Sequence, residues 1–126
     1  MRHEALVALV QRYFTAVDRK DLAGTLACLA PEATFTIATY DTVYRGRDRE
    51  LRGMFERLFA RYADVWHGDF RFVVEPPSLV SCRFQVRNRA ADGRQWTKSN
   101  ANFFRVGDDG LFDDVQVYMS GDNSLA

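Results

Sequence analysis

Residues 79–89 read Leu-Val-Ser-Cys-Arg-Phe-Gln-Val-Arg-Asn-Arg, and their alternation decides the fold. Val80, Cys82, Phe84 and Val86 stand on one side, with Ser81, Arg83, Gln85 and Arg87 on the other. That is the period of two of a half-buried strand. The same period continues on both sides. Residues 69–75 form a strand that Pro76-Pro77 ends, and Ala91-Asp92-Gly93 is a hairpin turn into a strand over 95–106. Gly107-Asp108-Asp109-Gly110 turns the chain again, into a last strand over 111–119. Everything after Gly68 is therefore predicted to be an antiparallel meander, with a loose tail from Gly121.

Ahead of Gly68 the period is that of a helix. Leu6, Leu9, Val10, Tyr13, Phe14 and Val17 fall on one face, with Arg12, Asp18 and Arg19 off it. Asp21 caps a short second helix with Leu22, Leu26 and Leu29 as its stripe, which Ala30-Pro31 ends. Residues 33–39 alternate as a strand, and Asp41 to Gly46 read as a turn. Residues 47–64 carry Leu51, Met54, Phe55, Leu58, Phe59 and Tyr62 and form the clearest helix of the chain. With such a stripe it must lie across the concave face of the sheet. Helices segregated from hairpin-joined strands make an α+β fold. A chain of 126 residues without linker or repeat is expected to be one domain, 1–126.

Composition narrows the function. Hydrophobic residues make up 47%, and 17 basic residues balance 17 acidic ones. Zero net charge argues against a nucleic-acid partner or an anionic membrane surface. His3 and His67 have no ligand spacing, so no metal site is expected, and Cys28 and Cys82 read as buried free thiols. The apolar run 5–10 follows Glu4 and meets Gln11-Arg12 with no cleavage site, and no run has transmembrane length. A cytoplasmic protein is expected.

Leu9-Val10-Gln11-Arg12-Tyr13-Phe14, Asp21-Leu22, Pro31-Glu32-Ala33-Thr34-Phe35, Arg45-Gly46 and Asn102-Phe103-Phe104-Arg105-Val106 together resemble nuclear transport factor 2-like proteins. The likeness is to the SnoaL-like and ketosteroid-isomerase branch. It implies a cone: a curved sheet wrapped round the third helix, with a pocket at the wide end. It also implies a homodimer through the outer sheet face, where Arg83, Arg87, Thr97, Ser99, Phe103 and Tyr118 would lie. The fold hosts isomerases, cyclases, dehydratases, epoxide hydrolases and non-enzymes, so it does not by itself name a reaction.

By that resemblance Tyr13 matches the isomerase tyrosine that donates to an enolate oxygen, and Asn102 the position of its protonated carboxylic acid. The isomerase logic is a known case rather than a deduction from these residues. A buried phenol needs a partner in any event, either a ligand oxygen or a backbone carbonyl. The family's carboxylate base aligns with Ile37, which cannot move a proton. Asp41, just past the strand, and His67, before Gly68, are the candidate replacement bases. The alignment turns Trp96, Lys98, Asn100, Asn102 and Phe104 inward; the opposite phase would send them to solvent or a partner. Phe35, Ile37, Met54, Phe55, Leu58, Val86, Val117 and Met119 complete the expected lining, which suits a small apolar molecule without any cofactor. The same side chains are equally able to fill the cone.

Overall fold

Tyr13, Phe35, Phe55, Phe84, Phe104 and Phe112 meet in the centre of a computed structural model that describes residues 1–126. They belong to a cluster of 28 buried residues to which every helix and strand except one edge strand contributes. The elements are α1 (His3–Asp18), α2 (Leu22–Leu26), β1 (Leu29–Ile37), β2 (Thr42–Arg45), α3 (Arg52–Arg61), β3 (Asp64–Glu75), β4 (Leu79–Arg89), β5 (Gln95–Val106) and β6 (Phe112–Met119). A wide π-type turn over Gly46–Leu51 leads into α3. The sheet runs β2-β1-β6-β5-β4-β3. It is antiparallel throughout except where β1 runs parallel to β6. The fold is thus the expected α+β cone of three helices and a curved sheet.

The capped second helix forms as its sequence predicts. The Asp21 side chain accepts from the Gly24 N–H at 2.9 Å, satisfying a donor that the helix start leaves free. Asp21→Ala is expected to lower the unfolding free energy by about 1 kcal/mol, read as a drop in Tm. No change in Tm would show that the cap is dispensable.

Four expectations need correction. The second helix stops at Leu26, and Leu29 instead opens β1, anchored where the Phe112 N–H meets the Cys28 carbonyl. Pro31 lies inside β1, but where the pairing with β6 shifts between Leu29 and Thr34, so its missing N–H costs no ladder bond. The stretch expected as a turn over Asp41–Gly46 contains edge strand β2, paired with β1; at four residues it was too short to show a period. The third helix ends at Arg61 rather than 64, because the Ala63 N–H joins the Arg89 carbonyl and β3 begins at Asp64. The tail from Gly121 is not loose, since the side chains of Tyr40, Tyr44, Arg61 and Lys98 hold it against the cone.

Strand β5 has the phase the alignment favours. Lys98, Asn100, Asn102 and Phe104 are buried inward. Arg83, Arg87, Thr97, Ser99, Phe103 and Tyr118 lie on the exposed outer face.

Candidate functional site

A cavity opens inside the cone between α1, α3 and the sheet. Its aromatic wall is Phe14, Phe35, Phe55 and Phe84, and its polar groups are Tyr13, His67, Asn88, Asn100 and Asn102. The cavity volume is ≈ 40 Å³. That volume decides what fits: it has room for a few waters, against about 300–1,000 Å³ for a drug-sized ligand.

A backbone irregularity puts His67 in this wall. His67 pairs with Val86 and Phe72 with Cys82, yet the β3–β4 register shifts between Gly68 and Arg71. Asp69 sits there at φ 56, a left-handed conformation. The extra residue lets an odd-numbered His67 and an even-numbered Phe72 face the same way, which strict alternation forbids. Gly68 is required for another reason. A Cβ there would come within 2.2 Å of the Trp66 ring, which the Arg87 guanidinium covers at 4.5 Å.

The bulge delivers His67 to the end of α1. His67 Nδ1 lies 2.6 Å from Asp18 Oδ1, and its backbone N–H donates to Asp18 Oδ2 at 3.2 Å. A carboxylate only accepts, so in the neutral imidazole Nδ1 carries the proton and Nε2 the lone pair. Phe14 lies 4.8 Å from the imidazole ring centre and Phe84 5.7 Å from it, fixing its plane. Nε2 has no hydrogen-bond partner in the protein.

Tyr13 stands in an aromatic cage, with ring centres of Phe55, Phe104 and Phe112 at 6.2, 5.9 and 5.9 Å. Burial, reinforced by the nearby Cys28 and Cys82 thiols, pushes its phenol well above the ordinary 10.0, and no protein group is bonded to its hydroxyl. It is therefore a donor at any physiological pH. Asn88, Asn100 and Asn102 are buried, and their side-chain oxygens have no partner. Leaving such a group unpaired costs about 1–3 kcal/mol, so three in one cavity are a large outlay unless something enters to bond them.

Of the expected lining, Phe35, Phe55, Leu58, Val86, Asn100, Asn102 and Val117 reach the cavity together with Tyr13 and His67. Ile37, Met54 and Met119 are buried in the core cluster instead. Trp96 packs on Tyr62, at 5.6 Å between ring centres. Lys98 bonds the Ser120 and Asp122 carbonyls, so its charge never faces the cavity. Asp41 is exposed, at φ 50 in the turn before β2, and is not part of the site. Sequence reasoning missed Asp18, Phe14, Phe84, Asn88, Ser124 and Leu125. Asn88 continues the inward series from Val80 to Val86, so alternation alone would have found it. No three metal-ligating side chains come together.

Cys82 gives the site's scaffold a pH signature. Burial pushes its thiol up to about 12 from 9.0, against a weaker opposing bond from the Asn102 backbone. The unfolded thiol ionises first, so this stability is complete below about pH 9 and is lost as pH rises toward about 12. Above about pH 9 the unfolding free energy should fall by about 1.4 kcal/mol per pH unit from this thiol, steepening above about pH 10 as Tyr13 adds its own contribution. Chemical denaturation of wild type and Cys82→Ala across pH 8–11 checks this: the slope should flatten in the variant, and identical slopes would refute it.

A family model described as SnoaL-like domain matches residues 10–115. Three solved structures are similar in fold. One is the epoxide hydrolase/cyclase-like enzyme SalBIII, of pyran ring formation in the polyether salinomycin, with TM-score 0.82, 17% identity and 95% coverage of each chain. Another is a candidate polyketide cyclase from Xanthomonas campestris pv. campestris, with TM-score 0.81, 22% identity and coverage of 91% of this chain and 90% of that one. A third is a hypothetical protein of ketosteroid isomerase-like fold from Catenulispora acidiphila, in complex with trimethylamine, with TM-score 0.76, 14% identity and coverage of 87% and 83%. No curated protein matches the chain. At these identities the likeness is one of fold.

Proposed function

The chain belongs to the family of SnoaL-like domains, and on that premise we propose that it is a cofactor-independent isomerase, cyclase or dehydratase acting on a small, mostly apolar carbonyl compound. One observation carries the reading: the His67 imidazole, the Tyr13 hydroxyl and three buried asparagines whose side-chain oxygens have no protein partner line one aromatic-walled cavity. His67 Nε2 removes a proton from the carbon beside the substrate carbonyl, and the electron pair moves onto the carbonyl oxygen. Tyr13 and Asn102 donate to that oxygen as its charge develops. The imidazolium then returns the proton to a second carbon in an isomerisation, or to a departing hydroxyl as water in a dehydration. In a cyclisation the enolate carbon forms the new bond to a second carbonyl, whose oxygen takes the proton.

A second reading is a binding module without chemistry. Ile37, at the position of the branch's carboxylate, favours it. The two are separated by screening unsaturated ketones and aromatic polyketide-like compounds for turnover and for thermal shift. The enzyme reading expects turnover that Tyr13→Phe lowers at least tenfold. Equal rates in the two proteins would remove Tyr13 from the mechanism, and tight binding without turnover would favour the module.

As parts of the same proposal, the outer sheet face joins two copies of the chain, with Phe103 and Tyr118 packed together in its middle at 5.8 Å. The proposed setting is cytoplasmic, consistent with two unpaired cysteines. No helix is long and apolar enough to cross a membrane.

A further inference from the structure

The cavity that carries the proposed chemistry is too small to hold a substrate, and the reason lies in residues 121–126. Ser124 and Leu125 form part of its wall, and Ser124 is 7% exposed. This segment follows the end of β6 at Met119 and takes no part in the sheet. Its backbone carbonyls are held by side chains. Lys98 Nζ bonds Asp122 O and, one residue before the segment, Ser120 O at 2.7 Å. Arg61 donates to Ser124 O at 3.1 Å and to Ala126 O at 2.5 Å. The Tyr44 hydroxyl donates to Leu125 O at 3.2 Å, and the Tyr40 hydroxyl to Gly121 O. Gly121, at φ 68, is the joint where the segment turns back over the cone.

We infer that residues 121–126 are a detachable gate over the cavity, that Lys98 and Arg61 are its latches, and that Leu125 fills the space a ligand takes and so sets the size of what is admitted. A segment held by side chains alone opens without breaking any strand pairing. Opening also exposes Asn88, Asn100 and Asn102 to a partner, which offsets part of that cost. Lys98 suits a latch. It is 4% exposed and makes no ion pair, and its burial pulls its pKa below the ordinary lysine value, partly countered by the Asp122 carboxylate.

The inference rests on the pocket reading but not on catalysis, and two measurements separate them. The first needs no ligand. In Ser124→Cys the new thiol sits under the closed gate, with Cys28 and Cys82 as buried controls. Alkylation of it by iodoacetamide should speed up at least tenfold when Lys98→Met or Arg61→Gln is added, the two native thiols staying unmodified. Equal rates in all three proteins overturn the gate. The second uses 2-naphthol fluorescence as a neutral probe of the full chain. Leu125→Ala should bind it at least fivefold more tightly than wild type, and Leu125→Trp at least fivefold more weakly. Measurable binding that is equal in all three refutes Leu125 as the size filter while leaving the pocket intact. Faster alkylation with no 2-naphthol binding to any protein overturns the ligand's place beneath the gate, and the pocket reading with it.

Discussion

His67→Gln is expected to lower kcat/KM at least 100-fold on any ketone the protein turns over, with thermal-shift affinity for the same compound within threefold. Glutamine is uncharged and keeps a hydrogen-bonding end, but it takes no proton at neutral pH. A positioned general base contributes about 10²–10⁴ in rate, and that is what the variant loses. Asp18 acts through His67 and is a positioning residue. Its two oxygens accept from two donors of one residue, Nδ1 at 2.6 Å and the backbone N–H at 3.2 Å. Asp18→Asn supplies one acceptor and one donor, so either the backbone N–H loses its bond or the imidazole takes the other tautomer. It should lower kcat at least tenfold with KM little changed, whereas general loosening of the site would raise KM. An undiminished rate in His67→Gln would remove the histidine from the chemistry and leave the binding module standing.

Phe84→Ala should cost about 3–5 kcal/mol of stability, a large share of the roughly 5–15 kcal/mol of a typical domain. Phe84 is 2% exposed and central to the aromatic cluster. Its ring centre lies 4.8 Å from Phe14, 5.6 Å from Phe70 and 5.7 Å from His67. Removing it leaves a void that α1 and β3 cannot close together, because the Asp18–His67 contact ties them at one spacing. The urea midpoint should fall with m unchanged. A loss under about 1 kcal/mol would mean that the cluster repacks freely and does not hold the imidazole plane.

The alternation over residues 79–89 decided the architecture because β4 is a central strand with one face in the core, where pattern and burial coincide. The stripe of α1 was legible for the same reason. What escaped the sequence lay where two residues far apart in the chain decide a local shape. Asp18 read as a polar residue off the helix face, yet it owes its place to a histidine 49 residues later. His67 read as a junction residue because the bulge at Gly68–Arg71 breaks the period that would have counted it as inward. Leu125 read as loose tail because the groups that hold its segment, Tyr44 at Leu125 and Arg61 at Ser124, come from β2 and α3, which no local pattern links to it. Tyr13 and Asn102, taken from the resemblance, do meet in one cavity, while Asp41 points to solvent from its turn.

The claim on which the rest depends is that His67 presents an unprotonated Nε2 to the cavity while Asp18 holds Nδ1–H. Long-range proton–nitrogen correlation of the histidine rings at neutral pH reads this directly, with His67→Gln identifying the His67 signals. The account predicts the Nδ1–H tautomer for His67 and an Nε2 resonance that shifts when 2-naphthol is added. An Nε2–H tautomer in the wild type, or an Nε2 unmoved by a probe that binds, would contradict it.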